Sequence, residues 1–382
     1  MFDDYVEWDL EDDREQTERW KEIEMELTFE ESLHRLSSKE LESLHIHILS
    51  PDKRKKWTHD ERLEHLLKNK ESIMEKEIQY FTHEQAEILK LAAENPAVLI
   101  EEYNRELGIW WHDTSLLATG TFHGTNVLVM PNEFKRTFQQ IYESQQFDRL
   151  WQDNEEWTKV TEKLLVYYGV LSFDELYALL RRYHYISSRD KKGHLKELFS
   201  YQSRRQWGIQ AAKELGDDYY ASIEVVDEEY TWSERGNYPD LDFAEIDGRV
   251  LALDSSEEVV LHMQSVQRFL RYLEKTYKVD RDIMGIILEE VYYGVVNDDE
   301  PTELLLGIVE MVEIKNRKQI DRLGEEFDHM LLNIPRWELK GHTLASFHNL
   351  EPKKPATSSQ PSIARNADCP CGSGKKYKKC CM

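Results

Sequence analysis

The position of the cysteines constrains this chain more than any other feature. All four lie in the last fourteen of 382 residues, at Cys369, Cys371, Cys380 and Cys381. Residues 1–368 contain none, so any disulfide or cysteine-based metal site is confined to the C-terminal end. The preceding residues must fold through a hydrophobic core alone, and a 40% hydrophobic composition is sufficient for that.

Two chemistries explain such a cluster, disulfide bonding and metal binding. One residue separates Cys369 from Cys371, and Cys380 adjoins Cys381, so a bridge within either pair would be strained. Bridges between the pairs stay open, although a reducing compartment disfavours them. Four thiolates suit a closed tetrahedral zinc site, and they also suit iron. The sequence therefore predicts a Zn²⁺ site made of the four cysteines.

The residues between the cysteines fit the same interpretation. Glycines at 372 and 374 permit the sharp turn that returns the chain to a metal. Neighbouring lysines would help to keep the thiols ionised, and a tyrosine offers one apolar ring. Metal binding would supply most of the folding energy of so small a unit. The predicted partner-binding residues are Lys375, Lys376, Tyr377, Lys378 and Lys379.

The run Cys-Pro-Cys-Gly-Ser-Gly-Lys-Lys-Tyr-Lys-Lys-Cys-Cys, at residues 369–381, resembles the SEC-C motif. This motif is named after the C-terminal tail of the bacterial translocase ATPase SecA, and the resemblance covers about residues 368–382. It implies zinc binding and docking to the chaperone SecB, to ribosomes or to phospholipid surfaces. The body has no phosphate-binding loop of a motor ATPase. The alternative is a zinc clip that only stabilises the C-terminus.

Charge separates the tail from the body. Residues 353–382 carry seven Lys or Arg and one Asp, a net charge of +6, whereas the whole chain carries −25, which leaves −31 on residues 1–352. An acidic body repels phosphate backbones, and a basic tail attracts acidic surfaces. We therefore expect tail and body to meet different partners, although acidity that serves only solubility is the alternative.

The chain has the composition expected of a cytoplasmic protein. Its mean hydropathy is −0.68, and it has no apolar run of 18 residues, so no transmembrane segment is expected. The first ten residues are acidic and lack the basic and apolar pattern of a secretion signal. These features predict a cytoplasmic location.

Periodicity and composition divide the chain and predict a mainly α fold. A small winged-helix-like α/β insert interrupts the multi-helical body, and a Pro/Ser-rich flexible linker carries the zinc knuckle. The predicted segments are an acidic N-terminal arm (1–28), a helical module (29–92), the winged-helix-like insert (93–150), a helical domain (151–350), the linker (351–367) and the SEC-C motif (368–382).

The module at residues 29–92 has helical leucine spacing and cap-like starts at Ser37 and Thr58. It resembles the small helix-loop-helix modules at the N-terminus of the termination factor Rho, which implies nucleic-acid binding. The basic run Lys53–Lys56 agrees with that implication. A plain helical hairpin is the alternative.

The sequence pattern of residues 93–150 predicts a helix, then a β-hairpin, then a second helix. The first helix is expected from about Ala97 to Leu107, and the hairpin turn at His123–Asn126, with a second strand at Val127–Met130. Another helix should start near Asn132. Because this hairpin carries no Arg or Lys, we expect that, if it is the wing of a winged-helix domain, it contacts protein and not DNA.

Residues 151–350 have mostly helical spacing, with one short strand pair expected near Ala221–Val226 and Val250–Leu253. The segment Leu332–Leu344 resembles a stretch of bacterial proteins that carry the same tail. The predicted helices include Trp157–Tyr168, Phe173–Tyr183, Glu257–Tyr277, Asp280–Val296 and Pro301–Ile314.

The body offers no recognisable catalytic motif, so we predict a protein that is not an enzyme. The run Asp298–Glu300 lacks the spacing of a calcium loop, and Glu289-Glu290 lacks an acid–base partner. The pair His45 and His47 has no further ligand at finger spacing. The predicted function is a zinc-binding cytoplasmic adapter whose tail docks a protein. The alternative is a nucleic-acid-associated regulator that uses the N-terminal module and the wing.

Overall fold

The computed structural model describes residues 20–49, 55–100, 111, 114, 116–187, 192–204 and 209–350. Within them the chain forms seventeen helices and six short strands, which confirms the predicted mainly α class. None of the helices within these ranges has the length and apolar character needed to cross a bilayer. The predicted linker and the cysteine tail lie outside the described residues.

The N-terminal helices begin where short polar side chains cap them. Ser37 and Thr58, the two predicted caps, accept hydrogen bonds from the backbone N–H of Glu40 (3.2 Å) and Glu61 (3.3 Å). In return, each glutamate accepts a bond from the backbone of its cap residue. Each cap contributes about 1 kcal/mol to helix stability. The helices are α1 Phe29–Leu33, α2 Ser38–Leu49, α3 His59–Lys68, α4 Lys70–Ile78 and α5 His83–Glu94.

A three-stranded antiparallel sheet follows, in the order β1-β3-β2. Strands β2 (Ala118–Phe122) and β3 (Thr125–Val129) form the predicted hairpin, with His123 and Gly124 in its two-residue turn. Both turn residues have positive φ, as a tight hairpin turn requires. The hairpin prediction is thus confirmed, with a shorter turn than expected.

The helix predicted to start at Ala97 does not start there. Val98–Leu99 forms strand β1, and its two residues pair with Leu128 and Val127 of β3. The edge of β3 opposite β2 offers backbone N–H and C=O groups that pair with those of Val98 and Leu99. A helix at these residues would not form those hydrogen bonds. Residues 101–107 lie outside the described residues, so the winged-helix assignment stays a prediction.

The described end of the acidic arm packs on the sheet. Ile23 N donates to Thr121 O at 3.0 Å, and Thr121 N donates to Lys21 O at 3.1 Å. Ile23 and Leu27 are buried. A Cβ on Gly120 would lie 2.6 Å from the Cβ of Ile23, so this approach requires glycine. The described end of the acidic arm therefore contributes apolar side chains to the core.

Helix α7 (Asp148–Tyr168), which follows α6 (Asn132–Glu143), connects two hydrophobic cores. Trp151 lies in the first core, and its indole donates to Ile78 O at 2.8 Å. Two turns later, Trp157 lies in the second core and donates to Tyr185 O at 3.1 Å. A single helix therefore fixes the two halves of the body to each other.

The second core is mainly helical and contains another small sheet, ordered β4-β6-β5 (Val170–Ser172, Tyr219–Ala221 and Gln210–Ala211). Its helices are α8 Phe173–Arg182, α9 Lys192–Arg204, α10 Glu228–Arg235, α11 Gly248–Leu251, α12 Ser256–His262, α13 Gln264–Tyr277, α14 Arg281–Val296, α15 Pro301–Met311 and α16 Arg317–Asn333.

Two details of this half correct the sequence analysis. Val250 and Leu251 belong to helix α11, so the predicted strand pair with Ala221 is wrong. Strand β6 pairs with β4 and β5 instead. The predicted helix Glu257–Tyr277 divides at Met263, whose ψ of 125° is extended. Met263 is buried, and the break lets two amphipathic segments each turn an apolar face inward.

Trp337 closes the second core against the end of α7. Its indole is fully buried and donates to Val166 O at 2.9 Å. A Cβ on Gly169, which ends α7 with φ of 72°, would lie 2.6 Å from this indole. Glycine therefore permits both the left-handed turn and the ring contact.

We expect Trp337→Ala to lower the free energy of unfolding by about 3–5 kcal/mol, because it opens a cavity in a packed core. Trp337→Phe keeps a ring but leaves the Val166 carbonyl without its donor, which should cost about 1–2 kcal/mol. Urea denaturation of the full chain measures both. If both variants lie within 1 kcal/mol of the wild type, this residue does not hold the core.

Candidate partner-binding site

The predicted site residues lie beyond the last described position. Residues 369–381, with all four cysteines and the Lys375–Lys379 run, are outside the described ranges. The structure does describe where the chain leaves the body. It also contains no cluster of three or more His, Cys, Asp or Glu, within the described residues, that could hold a metal ion.

The chain leaves the body from a fixed loop and helix. Helix α17 (Leu344–Leu350) is the last described element. At its start, the side-chain oxygens of Thr343 and Ser346 each accept a hydrogen bond of 3.0 Å from the backbone N–H of the other residue. The ring of Phe347 meets that of Tyr238 edge-on, 5.0 Å between centroids. The attachment point of the tail is therefore held by local contacts.

Hydrogen bonds to residues 241–244 hold the loop that precedes α17. Lys340 Nζ donates to Leu241 O at 2.7 Å, and Ala244 N donates to Lys340 O at 3.0 Å. The hydroxyl of Tyr168, at the end of α7, also donates to Ala244 O at 2.7 Å. The tail therefore starts from the same structure that holds Trp337.

A groove of about 410 Å³ opens on the surface of the second half of the body. Helix α14 forms one side, and the segment after β6 forms the other. Asn297, the C-cap of α14, joins them: Val226 N donates to its side-chain oxygen at 3.0 Å, and its amide donates to Glu224 O at 2.9 Å. The carboxylates that line the groove are Glu224, Glu289, Glu290 and Asp299.

Burial raises the pKa of the Glu224 carboxyl, and the neighbouring charge of Glu289 raises it further. Two like charges that lie close together disfavour each other's ionised form. In the sequence, Glu289-Glu290 and Asp298–Glu300 stand out as two separate acidic runs. No local pattern connects Glu224 to them, because only the fold brings residues more than sixty positions apart to one groove.

A second cavity, of about 200 Å³, lies beside the C-terminal end of α14. Tyr238, Glu234, Asp298 and Asn297 are among its lining residues, and Asn297 lines the groove as well. Asp298 is already paired, since Arg336 Nη2 lies 3.3 Å away and the Tyr230 hydroxyl donates to it at 2.7 Å. The cavity therefore adjoins the groove through Asn297 and the base of α17 through Tyr238, which contacts Phe347.

The N-terminal module contains a histidine pair, of which His45 is buried and His65 is half-buried. His45 Nε2 lies 2.8 Å from His65 Nδ1, and the Trp57 ring stacks on His65 with 4.9 Å between centroids. Lys55 Nζ lies 3.7 Å from the centre of the Trp57 ring and 3.1 Å from a Glu61 oxygen. Sequence reasoning considered His45 with His47, but the fold brings His45 to His65 instead.

This arrangement predicts a loss of stability in mild acid. Burial, with the neighbouring His65, lowers the pKa of His45 from 6.5 to about 4. The unfolded chain therefore takes up a proton near pH 6.5 that the folded chain refuses until about pH 4, so stability falls across this window. Between about pH 6.5 and pH 4.5, the wild type should lose about 2 kcal/mol more than His45→Gln.

Urea denaturation at several pH values tests this, and an NMR titration of the histidines checks the pKa directly. Equal pH dependence in both proteins, or a His45 pKa near 6.5, would contradict the prediction.

A third cavity, of about 170 Å³, lies beside α7 between the two halves. Burial raises the pKa of its Glu162 carboxyl to about 7, against the opposing charges of Lys163 and Lys159. The Thr158 hydroxyl in its wall is buried and has no hydrogen-bond partner among the residues that the structure describes. The contacts give no indication of a reacting group or a ligand for this cavity.

The comparisons with known proteins match the tail. Residues 365–382 match the family model described as SEC-C motif. The chain carries a SEC-C motif. The protein translocase subunit SecA of Maridesulfovibrio salexigens is 69% identical over 29 residues, 8% of this chain and 4% of that protein. A UPF0225 protein of Photorhabdus laumondii is 68% identical over 28 residues, 7% of this chain and 18% of that protein.

A longer but weaker match is SecA of Geobacter metallireducens, 30% identical over 115 residues, 29% of this chain and 10% of that protein. The chain therefore spans less than a fifth of the length of each of these three relatives. No solved structure matches the chain significantly. The predicted SEC-C resemblance is confirmed by the family-model match at residues 365–382.

Proposed function

We propose that this protein is a zinc-binding cytoplasmic adapter whose SEC-C tail docks a protein partner. The observation that carries the proposal is the motif match at residues 365–382, shared at high identity with SecA proteins. The chaperone SecB and the ribosome are the partners that the resemblance suggests. In this role the chain acts by binding and carries out no reaction of its own.

The donor set fits zinc. Cys369, Cys371, Cys380 and Cys381 supply four sulfur ligands within thirteen residues, the number that a closed structural site needs. Zinc, when bound, would gather these thiolates and so fold the segment. The four lysines and Tyr377 between the second and third cysteines would then be presented together to a partner.

The way in which the tail is attached supports a docking role over that of a zinc clip that only stabilises the C-terminus. Thr343 and Ser346 cap α17, and Phe347 packs on Tyr238, so the body is held up to this helix by its own contacts. The Pro/Ser-rich residues 351–367 separate the motif from that helix. A motif on such a tether adds little stability to the body but can reach a second binding partner.

The first test is co-purification of the full chain from its native cytosol, with bound zinc assayed. We expect Cys369→Ser with Cys371→Ser to lose about one equivalent of zinc and the docked partner, because two of four ligands are gone. Unchanged urea denaturation would show that the body stays folded. If zinc is lost and every partner is kept, the tail is only a clip.

A second variant separates the lysines from the metal. Lys375→Gln with Lys376→Gln should keep the zinc and weaken partner binding about twofold to thirtyfold, as expected for two exposed ion pairs. Lys315→Gln with Lys318→Gln, both exposed on the body, is the matched control and should change neither. Equal weakening in both variants would contradict docking through the tail.

The second hypothesis is a nucleic-acid-associated regulator, and two observations argue against it. Lys55 is already engaged by Glu61 and Trp57, and the body as a whole is strongly acidic. If the N-terminal module binds nucleic acid, affinity of the full chain for a single-stranded RNA should fall steeply with salt. Lys55→Gln with Lys56→Gln should then weaken binding. We expect no measurable binding at 150 mM salt (~8 Å screening length).

A further inference from the structure

We propose that the Lys375–Lys379 segment docks in the acidic groove of its own chain, so that a partner must displace it. The regulatory part rests on the proposed function of the tail, whereas the contact itself does not. The groove is the one between α14 and the segment after β6.

The groove has the two surfaces that a basic and aromatic segment needs. Its apolar side includes Val226, which is 83% exposed, and Ile286, which is 49% exposed. Large apolar side chains so open to water are stabilised by a covering partner. Among the described residues, the groove carboxylates of Glu224, Glu289, Glu290 and Asp299 form no ion pair, in contrast to Asp298 close by.

The tail has the complementary pattern. Residues 375–379 read Lys-Lys-Tyr-Lys-Lys, with one ring between two pairs of ammonium groups. The ring suits the apolar side formed by Val226 and Ile286, and the lysines suit the carboxylates around it. Unlike charges would also relieve the repulsion between Glu224 and Glu289.

The tail also starts close enough to reach the groove. Phe347 packs on Tyr238, Tyr238 lines the intermediate cavity, and that cavity shares Asn297 with the groove. Twenty-four residues separate Leu350 from Lys375. The seventeen of them that form the predicted linker, residues 351–367, would have a root-mean-square span of about 23 Å as a flexible chain. A tether of this length holds its end at millimolar effective concentration, so weak pairs suffice for docking.

Carbodiimide cross-linking of the full-length, zinc-loaded protein tests the contact, because this reagent joins an amine directly to a neighbouring carboxylate. We expect links from Lys375, Lys376, Lys378 or Lys379 to the groove in the monomer band, identified by mass spectrometry. Their yield should fall strongly between about 0.1 M and 1 M salt, where the screening length shrinks from ~10 Å to ~3 Å.

A neutralised groove is the decisive variant. Glu289→Gln with Glu290→Gln leaves Glu224 and Asp299 as reactive positions, and links to those two should drop at least about twofold. The matched control is Glu71→Gln with Glu75→Gln, another exposed pair on one helix, which should change nothing. Links spread evenly over the acidic body, links only in a dimer band, or equal yields in both variants would overturn the proposal.

Failure here is distinguishable from failure of the proposed function. If the groove contact is absent, the cysteine variant should still lose zinc and partner. If the adapter role is wrong, cross-links to the groove persist while no partner depends on the tail. If both hold, Glu289→Gln with Glu290→Gln should bind the partner more tightly than the wild type, because its competitor is weakened.

Discussion

The contact between Trp337 and Gly169 holds together the parts of the molecule that matter for function. The indole donates to Val166 at the end of α7 and packs where any larger residue than glycine would clash. Helix α7 in turn carries Trp151 in one core and Trp157 in the other. The loop that follows Trp337 leads directly to α17 and the tail. One buried ring thus relates the two cores to the point from which the motif leaves the body.

Charge organises the molecule beyond this core. The body, residues 1–352, carries a net charge of −31, whereas the last thirty residues of the chain carry +6. The fold brings four of the carboxylates of the body, those of Glu224, Glu289, Glu290 and Asp299, into one groove. Under the two proposals made above, the tail, with its opposite charge, has two classes of target: its own body and an external partner. Competition between them would make docking responsive to partner concentration and ionic strength.

Local rules accounted for much of the secondary structure. The caps at Ser37 and Thr58 and the hairpin around His123 follow from short patterns whose partners lie within a few residues. Predictions failed where a distant partner decided the outcome. Val98 and Leu99 became a strand because the edge of β3 was open. The helix expected at Glu257–Tyr277 broke at Met263, where two faces had to meet the core separately.

The sequence alone determined the mainly α class, the charge asymmetry and the cysteine motif, because each depends on residue type and short spacing. The assignment of the four cysteines as metal ligands stays a prediction from residue type and spacing. Only the tertiary structure brought His45 to His65, and Glu224 to Glu289 and Asp299. These residues lie 20 to 75 positions apart, and no local rule specifies such pairs. Their proximity results from how the helices pack, and packing is decided by the whole core.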